Sequence, residues 1–151
     1  MSDPIQAANA DQAMAQIIRR FEQLSFEEPF KECAQELRQG MAENFAAKTD
    51  AQGNAWPPRQ DPGDGHPLLI DSGALLLAAA SQGSGDHIEK VSGNELMIGV
   101  TREIQGIPTA AALNFGFEKR NLPSRQFIYV RADRVNNCGE ILADFALEAF
   151  E

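Results

Sequence analysis

The chain has 151 residues, 43% hydrophobic and 23% charged, which suits one globular domain with a single core. Its formal net charge of −9 opposes broad binding to nucleic-acid phosphates. No apolar run approaches the ~20 residues needed to span a bilayer, and Met1 to Ala15 hold no basic segment followed by an apolar stretch, so no secretory signal or membrane partner is expected and folding is placed in the cytoplasm. Two cysteines, Cys33 and Cys138, are expected to be free thiols, since a cell interior disfavours a disulfide and two sulfurs cannot complete a zinc site.

Residues 1–9 are small and polar and predict a flexible arm, with one domain following over residues 10–151. Met14, Ile17, Ile18 and Phe21 fall at helical spacing and predict a helix from about Ala10 to Leu24. A second helix is expected to begin between Ser25, which fits a capping box with Glu28, and Pro29, which suits a first helical position. Phe30, Ala34, Leu37, Met41 and Phe45 form its apolar stripe, and Phe45 and Leu37 are expected in the core. Gly40 lies inside that helix, either tolerated at a cost of roughly 1 kcal/mol or placed where another segment packs close.

Residues 48–67 hold Pro57, Pro58, Pro62 and Pro67 with Gly53, Gly63 and Gly65, and predict a long Pro/Gly-rich loop. Trp56, the single tryptophan, either anchors this loop to the domain or faces a partner. Asp71 or Ser72 could cap a short helix carrying Leu75 to Leu77. His87 to Val91 and Glu95 to Thr101 alternate with period two around a Ser92–Gly93–Asn94 turn, a hairpin signal. A short helix is expected from Pro108 to Gly116, then a third strand over Phe127 to Arg131. A last helix, from about Ala132 to Phe150, places Val135, Cys138, Ile141, Leu142 and Phe145 on one side. These elements predict an α+β fold, with helices packed on one face of a small antiparallel sheet.

No catalytic, cofactor or metal site emerges. Asp61, Asp64 and His66 lack ligand spacing, and residues 50–54 (DAQGN) lack the ligand register of a calcium loop. His87 is expected as an exposed strand histidine, and no phosphate loop or nucleophile elbow is present. Against the acidic whole, Lys119, Arg120, Arg125, Arg131 and Arg134 are opposed only by Asp133. Arg120, Arg125 and Arg131, with Trp56, are therefore the candidate interface residues. Arg125 or Arg120 is expected to meet the acidic first two helices of a neighbour, with Arg131 and Arg134 available for pairing inside their own chain.

Five segments occur in a telling order: NFAAKTDAQGNAWPPR at 44–59, HPLLIDSGALLLAA at 66–79, MIGV at 97–100, AALNFGF at 111–117 and LPSRQF at 122–127. That order resembles the phage virion morphogenesis family, which includes myophage tail completion proteins and Mu G-like proteins. The resemblance rests on Phe45, Asp50, Gly53, Trp56, Pro58, Leu69, Gly73, Leu75, Gly99, Val100, Phe115, Gly116, Pro123, Arg125 and Phe127. It departs where the family often has Tyr-Ala and then His-Gln before Phe-Gly, since Thr109, Ala110 and Asn114 stand there. It implies a non-catalytic part in tail completion or head–tail joining, assembled as a homo-oligomeric ring with other tail or neck proteins. The place implied is the host cytoplasm during assembly and the virion tail or neck. Two other classes compete: a regulatory module that captures a partner with the 48–67 loop, and a small metal-dependent enzyme using Asp61, Asp64, His66 and His87.

Overall fold

The computed structural model describes residues 9–60, 65, 68–70 and 72–151. Nearly all of the expected arm, and Asp61, Asp64 and His66, lie outside the described residues. Helix α1 (Ala10–Gln23) begins where the Asn9 side chain accepts the Gln12 N–H at 2.9 Å, a side-chain cap on a free N-terminal donor. Helix α2 (Glu27–Ala47) starts inside the expected range from Ser25 to Pro29. Pro29 takes its third place, where an N–H would still lack an intrahelical acceptor. Phe26, just before α2, donates its N–H to the Gly93 carbonyl at 2.8 Å, so the hairpin turn pins the α1–α2 junction. Lys48 ends α2 in a left-handed conformation.

The buried side of α2 carries Cys33, Ala34, Gly40, Met41, Asn44 and Phe45. Leu37, expected in the core, is only half-buried. Its turn is where α2 reaches outward through polar groups: Glu36 to Arg134 and Arg38 to Glu89. Gly40 sits under α5 (Ala132–Glu148), where an added Cβ would come 3.1 Å from the Arg134 Cγ. Close packing therefore explains this glycine. Arg134 bonds Glu36 at 2.7 Å and also Glu43, tying α5 onto α2. Arg134 thus takes an inward place on α5, while Val135, expected on the packed side, is 53% exposed.

Helix α3 (Ala74–Ala80) follows Gly73, whose φ of 80° is accessible to glycine at little cost. Strands β1 (His87–Val91) and β2 (Leu96–Val100) form an antiparallel pair with His87 opposite Val100 and Val91 opposite Leu96. Helices α2 and α3 both pack on this hairpin, giving an α+β fold. Helix α4 (Thr109–Phe115) takes Pro108 as its cap and not as its first residue.

The expected third strand over Phe127 to Arg131 does not form: the sheet has two strands among the described residues. The chain there runs beside two buried asparagines that take over the work of a neighbouring strand. Asn44 Nδ2 donates to the carbonyls of Phe127 at 2.9 Å and Tyr129 at 3.0 Å. Asn114 Oδ1 accepts the N–H groups of Phe127 and Ile128, each at 3.0 Å. Backbone polarity is thus satisfied from side chains, and Phe127 becomes fully buried. Around it gather Met41, Phe45, Trp56, Leu75, Ala79 and Ala110 as one core.

Candidate interaction surfaces

The loop after α2 is a knot built on Asp50. Its backbone N–H donates to the Asn54 carbonyl, and its Oδ1 accepts from the Gln52 and Asn54 N–H groups, each at 2.9 Å. Burial pushes the Asp50 carboxyl up, but these bonds and one from the Asn54 side chain outweigh it and hold the group below its ordinary range. Gly53 makes the turn at a φ of 85°. Trp56 then folds inward, 5% exposed, with its ring edge-on to Phe45 at 6.0 Å. Its indole N–H donates to the Gln126 carbonyl at 2.9 Å. Trp56 is the loop anchor, and the partner-facing alternative does not hold.

Arg125 also lies inside. It is 6% exposed, and its Nε and Nη2 donate to the carbonyls of Pro57 and Pro58, each at 2.9 Å. This corrects its assignment as an exposed interface cation. The planar fork ties the loop to the segment after Pro123, a task its geometry suits. Burial, and then the nearby Arg59 charge, push the Arg125 guanidinium below its ordinary range.

The other cations divide. Arg131 pairs within the chain, its Nε 3.4 Å from Glu43 Oε2. With Arg134 it occupies Glu36 and Glu43, two of the acidic residues of the first two helices that a neighbour's arginine was expected to meet. Lys119 and Arg120 stay exposed on a 3-10 turn, Glu118–Arg120. Arg120 is thus the member of the set that remains presented at the surface.

Gly116 follows α4 with φ 84° and ψ 164°, a region essentially closed to other residues. A Cβ there would also meet the Ser124 nitrogen at 3.0 Å and the Leu122 carbonyl oxygen at 3.1 Å. The turn brings half-buried Pro123 back beside α4 and leaves Phe115 77% exposed.

His87 is a correction of another kind. Its side chain is 2% exposed, with Nδ1 2.7 Å from the Ala78 carbonyl and Nε2 3.0 Å from Glu89. Packing of α3 on the hairpin covers it. Burial pushes Glu89 up, but bonds from Arg38, His87 and Gln82 prevail and hold its carboxyl below the usual range. This cluster joins α2, β1 and the segment after α3. Among the described residues no three His, Cys, Asp or Glu side chains gather as metal ligands would. No helix is long and apolar enough to cross a membrane among the described residues.

Helix α1 presents an apolar face to the surface. None of its residues is buried, and Met14, Ile18 and Phe21 are 58%, 49% and 49% exposed. Its last turn alone shows a ring contact, Phe21 on Phe150 with centroids 4.8 Å apart. The organising residues that sequence reasoning missed are Asn44 and Asn114, whereas the pairing of Arg134 inside its own chain was expected. An asparagine three residues after Met41 and one before Phe45, inside an apolar stripe, was the available signal for Asn44. No family model, curated protein or solved structure matches the chain.

Proposed function

We propose that this protein is a non-catalytic assembly component acting in phage tail completion or head–tail joining, with other tail or neck proteins and further copies of itself as partners. The observation that carries an assembly role is α1. A 14-residue helix is marginal in water on its own propensity, yet α1 points Met14, Ile18 and Phe21 outward. A helix so arranged gains by being covered when the protein joins an assembly, where apolar burial contributes about 25 cal/mol per Å².

The phage reading draws its support from the order of the resembling segments and from what those residues do together. Phe45, Trp56, Leu75 and Phe127 come from four separate segments and form one core. Gly53, Gly73 and Gly116 each supply the positive φ that the adjoining turn needs. The shared pattern is thus a pattern of folding residues, which is what a structural part would keep. Disrupting the gene in its own phage or prophage should leave heads and tails unjoined, and Ile18→Glu should fail to restore joining. Normal joined particles from the disrupted genome would end this reading.

A further inference from the structure

Among the described residues the sheet ends at β2, and the edge it leaves there is unpaired. The Thr101 N–H meets the Asp86 carbonyl at 2.8 Å, and the Ser92 N–H meets the Glu95 carbonyl at 2.9 Å. With the register of the hairpin, these bonds fix the alternation along β2. Met97 and Gly99 bond to β1, and the N–H and C=O groups of Leu96, Ile98 and Val100 turn away from it. None of those outward groups has a hydrogen-bond partner among the described residues. The extended segment 127–131 does not supply one, because Asn44 and Asn114 hold the backbone of Phe127, Ile128 and Tyr129. A row of outward donors and acceptors is a template for another strand.

The residues of the edge say which strand. β1 carries Glu89 and Lys90, charges of the kind that deter edge pairing. β2 reads Leu-Met-Ile-Gly-Val, with neither charge nor proline. Copies of a chain with a net charge of −9 repel each other, so an uncharged strand is where two of them can approach. The edge also complements itself. We propose that β2 pairs with β2 of a second copy, antiparallel across a two-fold axis, so that two hairpins become one four-stranded sheet. With Ile98 opposite its own counterpart, Leu96 of each copy faces Val100 of the other, and every outward N–H meets a C=O. Met97, 46% exposed, then falls opposite Gly99, and Glu95 opposite Thr101, so no like charges meet along the row. This surface is distinct from α1, and the inference does not rest on the tail-joining reading.

The test follows the purified full chain by sedimentation velocity and by amide hydrogen exchange over a range of protein concentrations. The paired edge is short, so dimers should appear only as concentration rises. The Leu96, Ile98 and Val100 amides should gain protection in step with the dimer, while the Glu89 and Val91 amides on the far edge of β1 should not. Mixed labelled and unlabelled chains should give contacts between Leu96 of one copy and Val100 of the other. Met97→Lys changes an exposed side chain and sets two lysines diagonally across the new pair; it should weaken the dimer at least tenfold. Leu96→Pro removes an outward N–H at the first residue of an edge strand, where proline is tolerated, and should weaken it as well. If Leu96→Pro does not fold, Met97→Lys decides. A chain that stays monomeric throughout, protection of the edge amides that does not depend on concentration, or a dimer that Met97→Lys leaves unchanged would each overturn the proposal.

Discussion

The C-terminal end of α2 and the helix that precedes α2 carry apolar residues at comparable spacing, and they meet opposite fates. At the first, Met41 and Phe45 are buried with Trp56 and Phe127 by a loop and an extended segment that close over them. At the second, Met14, Ile18 and Phe21 stay exposed. The difference lies in what holds the covering chain. Around Phe127 every strap has polar fasteners: Asn44, Asn114, the Trp56 indole and the Arg125 fork. The contacts described at the C-terminal end of α1 include the Phe26 to Gly93 hydrogen bond and the packing of Phe21 and Arg20 on the Phe150 ring, and none of them covers Met14, Ile18 and Phe21. Periodicity tells which side of a helix is apolar, whereas burial depends on hydrogen bonds that anchor something over it.

This contrast can be broken from either side. The largest loss should follow Phe127→Ala, which empties a fully buried ring site and should cost about 3–5 kcal/mol by urea unfolding. Asn44→Ala should come next. It strands the carbonyls of Phe127 and Tyr129, and each unsatisfied buried group costs about 1–3 kcal/mol. A midpoint unchanged by Asn44→Ala would show that the extended segment needs no such fastener.

A smaller, pH-dependent effect should come from Glu89. Its folded pKa lies below the unfolded value of about 4.3. Its contribution is therefore complete above that value and is lost as pH falls through the lower folded one. Glu36 and Asp50 are shifted the same way and act in the same sense. Urea midpoints measured from neutral pH into this acid range should fall for the wild type and fall less steeply for Glu89→Gln. The smallest effect on stability belongs to α1. Ile18→Glu should change the urea midpoint by no more than about 0.5 kcal/mol, as surface substitutions do. The same variant should lose association with partners, measured by sedimentation and by tail-joining complementation.

The helices and the hairpin were legible because their signals are local. Asn9, Gly73, Lys48 and Gly116 adjust where elements begin and end, within a few residues of what periodicity indicates. The segment Phe127 to Arg131 alternates like a strand, yet whether it pairs depends on Asn44 and Asn114, far away in the chain. Arg125 read as a surface cation because arginine is mostly exposed. Two proline carbonyls nearly seventy residues earlier draw it inside. His87 was hidden in the same way, since the Ala78 carbonyl that meets it belongs to another element.

The seam between α2 and α5 also carries a pair of thiols that face each other. Cys33 Sγ lies 3.8 Å from the Cys138 carbonyl, and Cys138 Sγ lies 3.8 Å from the Cys33 carbonyl. Burial, with Cys138 beside it, pushes the Cys33 thiol up to about 12, so it stays protonated and unreactive while the helices are closed. Parting the helices would hydrate it and return it toward the ordinary thiol range of about 8.5. Alkylation of Cys33 therefore works as a clock: its rate counts how often α5 lifts from α2, and it does so without any label engineered into the chain.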